Sequence, residues 1–315
     1  MIHQLFKLCF GSLFLFLCSA SGWSIERKYV ETLAGRATGI LPWELRELSG
    51  LAHCRTTPDR LWAINDSGGN AILYALSLDA NLQQSYHLFR DSNKDWEDLS
   101  CGRCADDSGE CLYIGDIGSN QSRRKKIRVF MIPLPLQFEE TPKGKSIYRK
   151  KFSLRYPDGR YNAETLLVHP QKPVVLIVTK EKRNPANPIN PRFYTADLSQ
   201  FQSSPKKIPL QFSGILPLSE YLTKQDPPAS AWITSGDFYP DGQWFVLMSY
   251  MYFFRLQWPV STESPQSILL PIWGNVNRAQ LESFAFHQNG KQFWIGSEIN
   301  RSREPLLLME LPLQR

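Results

Sequence analysis

The sequence predicts an all-β chain wound into a β-propeller of five four-stranded blades, and three observations predict it. Helical periodicity is scarce, while short runs rich in Val, Ile, Leu, Phe, Tyr and Trp, bounded by Gly, Pro, Asn and Asp, recur from end to end. These runs align with one another at a spacing of about 40 to 50 residues, the period of propeller blades. At 315 residues, 42% of them apolar, the chain can bury a large core and is far too apolar for disorder.

The first element is a leader. "MIHQLFKLCFGSLFLFLCSASGWS" carries Lys7, then the apolar run Leu8 to Leu17, then small residues from Ser19 to Gly22. That order is a secretory signal peptide over residues 1–22, too short to span a bilayer comfortably, which leaves residues 23–315 as one exported domain, periplasmic or secreted. Cys18 would suit a lipid anchor, but the bulky Leu17 before it does not suit lipoprotein processing. No later segment is apolar for long enough to cross a membrane, so no span follows leader cleavage.

Next come the blades. Five segments share a first strand: "SGLAHC" from Ser49, "EDLSCG" from Glu97, "AETLLVHP" from Ala163, "SGDFYPDG" from Ser235 and "LESFAFHQNG" from Leu281. Second strands follow in "LWAINDSG", "CLYIGDIGSN", "VLIVTKEK", "WFVLMSY" and "FWIGSE", and third strands in "ILYALSLD", "IRVFMIPLP", "RFYTADLS", "FFRLQWP" and "PLLLMELP". Fourth strands are "YHLFR", "YRKKFSLRY", "KKIPLQF" and "SILLPIW". The last unit lacks a fourth, and "RKYVETLAG" (Arg27 to Gly35) alternates like a strand, so the N-terminal segment closes the ring and removes its free edges. A sixth blade would have to come from Lys182 to Trp232, where the prolines of "NPANPINP" and "KQDPPAS" read better as insertions.

In a propeller the start of each first strand and the end of each second strand lie on one face, around the channel mouth. The first-strand starts contribute Glu97, Asp98, Glu164, Asp237 and Glu282, and the second-strand ends contribute Asp66, Asp116, Glu181 and Glu298. Asn65, Asn162, Lys180 and Tyr250 join them, on a chain whose net charge is +6. Crowded carboxylates raise one another's pKa values or recruit a cation. Oxygen donors suit a hard ion, so Asp66, Asp98, Asp116 and Asp237 are the expected ligands of a divalent cation, calcium. Glu97, Glu164 and Glu282 are the expected catalytic carboxylates, of phosphoesterase or glycosidase type. Asn65, Asn162, Lys180, Tyr250 and Glu298 are the expected contacts to a small phosphorylated or sugar ligand. Turn chemistry alone accounts for Asp and Asn at strand ends, but Glu is a poor turn residue, and Glu97, Glu164, Glu282 and Glu298 belong to the set.

Histidine placement narrows the chemistry. His53, His169 and His287, in "AHC", "VHP" and "FHQ", fall at the far end of first strands, and no GxSxG elbow is present. A Ser-His-Asp hydrolase or a His-ligated zinc enzyme has no histidine beside the acids. The basic run "SRRKK" lacks interleaved aromatics, so nucleic acid is not an expected partner. After leader removal four cysteines remain, an even set suited to disulfides in an oxidising compartment. Of three connectivities, Cys54 with Cys101 would bridge blades 1 and 2, and Cys104 with Cys111 would staple the turn "ADDSGE". The "CGRC" pair lacks the second half of a zinc set.

The series "NDSG", "DWEDL", "YIGDIGSN", "YPDG" with "NAETLLV", "VTKE", "GDFYPDG" and the late "SE" resembles a group of exported bacterial β-propeller proteins, distantly similar to phytase-like and NHL-type propellers. The resemblance runs from about Leu48 to Glu298 and implies that Asp66, Glu97, Asp98, Asp116, Glu164, Asp237 and Glu298 are the recurring positions of the group. One departure stands out: "LMSYM" replaces an Arg-Thr-Tyr of similar proteins, so no basic residue accompanies Tyr250. The expectation is an exported propeller that binds calcium and a small ligand at its mouth. The alternative is a non-catalytic interaction module using the "PANPINPRF" and "SRRKK" loops, with the acids serving turns and packing.

Overall fold

Strand-forming runs separated by turn residues resolve into twenty-three strands in a computed structural model that describes residues 35–120, 122, 124–180, 190–201, 207–218, 222, 226–260, 268–271, 280–298 and 305–310. The leader, and all of the expected closing strand except Gly35, lie outside the described residues, as do Glu181 and much of "PANPINPRF".

The first strand, β1 (Gly35–Ile40), precedes blade 1, made of β2 (Leu48–Ala52), β3 (Arg60–Asn65), β4 (Ile72–Ser77) and β5 (Leu82–His87). Blade 2 is β6 (Trp96–Arg103), β7 (Glu110–Asp116), β8 (Ile127–Pro133) and, after a hairpin of β9 (Phe138–Thr141) and β10 (Gly144–Ile147), β11 (Lys150–Arg155). Blade 3 is β12 (Ala163–Val168), β13 (Val174–Thr179), β14 (Arg192–Asp197) and, past the short β15 (Ile208–Pro209), β16 (Gln211–Ile215). Blade 4 is β17 (Ile233–Phe238), β18 (Trp244–Ser249), β19 (Tyr252–Gln257) and β20 (Ile268–Pro271). Blade 5 is β21 (Leu281–Phe286), β22 (Gln292–Ser297) and β23 (Pro305–Glu310), with β1 paired antiparallel to β23 in the fourth place.

The N-terminal segment therefore does close the last blade, and among the described residues it does so with "GRATGI". Two further details escaped the sequence reading. The β9–β10 hairpin interrupts blade 2, and β15 pairs parallel with β11, lending two residues of the blade 3 connection to blade 2.

Ring closure shows in the packing. The innermost strands touch in the cycle β2, β6, β12, β17, β21 and back to β2. Each seam has its own apolar cluster. Trp62 and Ile64 meet Trp96 and Phe130 between blades 1 and 2, and Tyr113 and Val129 meet Leu166 and Ile177 between blades 2 and 3. Phe193 meets Phe245 and Phe254 across the next seam, Met248 meets Phe284 and Phe293 across the fourth, and Leu51 and Ala63 meet Trp294 across the last. Every blade thus has both faces covered, which is why second strands such as "ECLYIGD" are buried along their whole length instead of alternating. Each large side chain so buried contributes roughly 1.5–3 kcal/mol.

Both expected disulfides are present, Cys54–Cys101 across the first seam and Cys104–Cys111 within blade 2, with Cα separations of 5.6 and 5.0 Å. They fit an oxidising compartment. No helix among the described residues is long and apolar enough to cross a membrane.

Candidate functional site at the mouth of the ring

One backbone irregularity repeats in all five blades and builds the site. The register between first and second strands breaks between Leu48 and Gly50, Trp96 and Asp98, Ala163 and Thr165, Ile233 and Ser235, and Leu281 and Ser283. The residue inside each break is Ser49, Glu97, Glu164, Thr234 or Glu282. A bulge of this kind releases its side chain from the strict alternation of the strand and re-aims it.

The five residues divide by chemistry. In blades 1 and 4 the hydroxyl stitches a seam: Ser49 Oγ donates to the Trp96 carbonyl at 3.1 Å and Thr234 Oγ1 to the Leu281 carbonyl at 2.8 Å. A carboxylate has no proton to donate to a carbonyl, and in blades 2, 3 and 5 the glutamates turn to one another instead. Glu97 feels the charge of Glu164, and Glu164 that of Glu282. The three carboxylates expected to be catalytic are brought together.

The residue just past each second strand supplies the rest. By register these are Asp66, Ile117, Lys180, Tyr250 and Glu298, four of them polar. The amides of Asp66, Lys180 and Glu298 extend the ladder by one bond, to the carbonyls of Glu47, Asn162 and Gln280 at 2.8, 3.0 and 3.1 Å.

A continuous polar chain runs along blades 3, 4 and 5. Asn162 Nδ2 donates to Glu164 Oε1 at 3.2 Å, and Glu164 Oε2 is ion-paired with Lys180. Lys180 Nζ lies 3.1 Å from the Tyr250 hydroxyl and 5.0 Å from the centre of its ring. Tyr250 donates to Glu282 Oε1, which also accepts from Gln280 Nε2 at 3.2 Å, and Glu282 is hydrogen-bonded to Glu298. Burial raises Glu164 to about 7 against the pull of Lys180. Glu298 rises to about 8 through burial, the Glu282 charge and the bond to it.

The other half of the mouth is a carboxylate triad, Asp66, Asp95 and Glu97, whose ligand oxygens lie within 4.8 Å of one another. Glu97 is 6% exposed and makes no hydrogen bond among the described residues. Burial raises it well above the carboxylate range, helped by Glu164, Asp66 and Asp95. Asp66 rises to about 6 through burial and the charges of Asp95, Glu282 and Glu47, and burial raises Asp95 too. Gly118 lies against this triad, and its amide donates to the Asp95 carbonyl at 3.2 Å. Oxygens 2.3–2.6 Å from a calcium ion are at most about 5 Å apart, so the triad fits that ion.

The remaining expected residues stand elsewhere. Asp98 is fully buried inside the ring, accepting from the Leu99 and Leu166 amides at 2.9 Å each and lying 3.2 Å from Ser235 Oγ. Asp98 is directed at Leu166 and Ser235, whereas Glu97, inside the register break, is directed at Asp66, Asp95 and Glu164, so only Glu97 lines the mouth. Asp237 is the fifth residue of a strand that begins at Ile233, too deep for the mouth, where it accepts from the Phe286 amide at 3.0 Å. Asp116 aligns with Asn65 rather than Asp66, and Arg124 and Arg128 flank it at 2.7 and 3.5 Å. Arg124 thereby leaves the "SRRKK" loop surface and folds inward. Asn65 donates to the Glu44 carbonyl at 2.6 Å and serves the turn.

Asp95 and Gly118 are the members that sequence reasoning missed. A signal existed for Asp95, since "DWED" spaces it two residues from Glu97. Nothing local marks Gly118. The histidines are placed as expected, away from the acids: His53 packs on His287 and Trp294, and His169 on Phe238 and Trp258.

No protein-family model matches the chain, and no curated protein matches it. Among solved structures it is similar to the structure of U3-55K, at a TM-score of 0.44 and 9% sequence identity over 88% of this chain and 98% of that one. It is similar also to the crystal structure of RRP9 WD40 repeats, at 0.44 and 9% over 89% of this chain and 100% of that one. Neither likeness is close enough to bear on ligand or partner.

Proposed function

We propose that this is an exported propeller whose mouth binds calcium through Asp66, Asp95 and Glu97, and beside it a small hydroxylated ligand. The observation that carries the reading is Glu97, a carboxylate 6% exposed and without a hydrogen-bond partner among the described residues, facing two more acids within coordination range. An uncompensated buried carboxylate is costly unless it is protonated or meets a cation.

Of the two ligand classes, sugar fits better than phosphate. The one cation in the polar chain, Lys180, is already paired with Glu164, and the surrounding acids repel a phosphate group. A neutral polyol offers hydroxyls to both Glu164 and Glu282 and a face to Tyr250. Hydrolysis of a glycosidic bond is open to the same set, because a carboxyl still protonated near neutrality, such as Glu298, suits a general acid.

Calcium titration of the melting temperature tests the binding step. A rise abolished by Asp66→Asn or Glu97→Gln supports it, and no response to calcium overturns it. A panel of aryl glycosides and phosphate esters then tests the chemistry.

A second reading, the interaction module, is favoured by Ile40 and Trp43, large apolar residues 61% and 53% exposed at the end of the closing strand and in the turn after it. Pull-down with wild type but not Ile40→Ser/Trp43→Ser, together with silence toward calcium, would favour that reading.

A further inference from the structure

Beneath the mouth lies a second polar layer, formed by the third residue of each innermost strand. By register these are Gly50, Asp98, Thr165, Ser235 and Ser283, paired with Ile64, Gly115, Val178, Met248 and Gly296. Asp98 belongs to blade 2 and Ser235 to blade 4, yet Oδ1 and Oγ are 3.2 Å apart. Side chains of this layer therefore meet inside the ring, and Thr165 belongs to the blade between those two.

Three features of the layer are unexplained by the fold alone. The Thr165 and Ser283 hydroxyls are fully buried, and neither has a hydrogen-bond partner among the described residues. The Asp98 carboxyl is also fully buried, and no ion pair with Lys, Arg or His reaches it among the described residues. Both its oxygens accept backbone N–H bonds, which favour the anion, while burial and the charge of Asp237 push its pKa well up, so the ionised carboxyl lacks a compensating positive charge. Buried charges in proteins are paired or coordinate metals, and buried hydroxyls are bonded.

We infer that this layer holds one monovalent hard cation of sodium size, coordinated by the Asp98 carboxylate and the hydroxyls of Thr165, Ser235 and Ser283. All donors are oxygen, as a hard cation requires. One positive charge balances Asp98. The site is distinct from the calcium triad and stands whether or not that triad binds.

The test uses the full chain carrying Asp66→Asn and Glu97→Gln, so that the mouth does not respond. Its melting temperature is compared in choline chloride, sodium chloride and calcium chloride at equal ionic strength. Sodium at ten times its Kd is expected to raise Tm by about 3 °C over choline. Thr165→Val/Ser283→Ala removes only hydroxyls that have no partner, so in choline it is expected to melt with its parent, and in sodium to lose the rise. Crystals grown with thallium(I) in place of sodium are expected to show an anomalous peak beside Asp98. Equal melting in choline and sodium, a response to calcium alone, or water-like density with no anomalous signal would each overturn the inference.

Discussion

Gly118 lies so close to Glu97 that a Cβ built on it would overlap Oε1, and would meet the Asp95 carboxyl carbon at 2.6 Å. The triad proposed to bind calcium therefore depends on a residue that is not one of its ligands. Gly118→Ala must push Glu97 and Asp95 apart, since the backbone there is tied to the Asp95 carbonyl. Overpacking of this kind costs about 1–3 kcal/mol. The expected outcome is a folded protein whose calcium-induced rise in Tm is gone. An intact calcium response in Gly118→Ala would detach the ion from this place.

The pH dependence of the metal-free protein runs opposite to that of a chain held by ion pairs. Asp66, Glu164 and Glu298 keep their protons up to about 6, 7 and 8, whereas unfolded carboxyls titrate near 4. Between those values the folded chain holds more protons than the unfolded one, so stability declines as pH rises from about 4 through 8. For Glu164 the loss is on the order of 3–4 kcal/mol. On the proposed reading calcium competes with those protons, and its affinity is expected to climb over the same range. Melting curves from pH 4.5 to 8.5 in EGTA and in calcium check both, and a metal-free curve that rises with pH contradicts the electrostatics of the mouth.

Lys180 and Glu164 form a buried pair, with side chains 10% and 9% exposed. Removing one partner strands the other. Lys180→Met is expected to destabilise by about 3–5 kcal/mol, and Lys180→Met/Glu164→Gln by clearly less, because the orphaned acid is gone. Denaturant unfolding of the two singles and the double measures the coupling. Additive effects would mean that the pair does not act as a unit.

How much of this was legible depends on what each residue's position rests on. Strand order was legible, because a seam covered on both sides leaves continuous apolar runs such as "CLYIG" and "VVLIV". So were the two disulfides, since Cys54 and Cys101 end adjacent inner strands. Glu97, Glu164 and Glu282 could be gathered from the repeat alone. Asp98 and Asp237 could not be placed, because a single step along a strand reverses the side chain and the bulge that fixes the phase leaves no residue signature. Asp116 looked equivalent to Asp66, and only the pairing of Trp96 with Asp116 and Leu48 with Asn65 shows the one-residue offset that hands its place to Ile117.

The disulfides differ in the loop they close. Cys54–Cys101 spans 47 residues and Cys104–Cys111 spans 7. Chain entropy assigns about 4 kcal/mol to the longer loop and about 2 kcal/mol to the shorter. Cys54→Ala/Cys101→Ala is therefore expected to lower stability roughly twice as much as Cys104→Ala/Cys111→Ala. Glu110 narrows the difference in part, because it joins the same two blades through the Arg55 and Thr56 amides at 3.2 and 2.8 Å and remains when Cys54–Cys101 is removed. Parallel denaturation of the two double variants decides the ranking.

Closure by β1 carries the strongest consequence for the site. Glu282 and Glu298 belong to blade 5, whose outer edge among the described residues is covered by β1 through five residue pairs with β23. A variant lacking residues up to Ile40 leaves β23 as a bare edge, and an exposed strand edge invites pairing with another chain. Loss of the seam residues Leu41 and Leu45 is avoided in that truncation, so the blade 1 contact to Trp294 remains. The expected result is a protein that still folds locally but associates, with the polar chain from Glu164 to Glu298 broken at its blade 5 end. Light scattering and calcium-dependent melting of the truncated chain check it together. Association with calcium binding retained would show that the triad of Asp66, Asp95 and Glu97 stands on blades 1 and 2 alone, whereas a monomer that melts like the full chain would mean that the ring needs no fourth strand in its last blade.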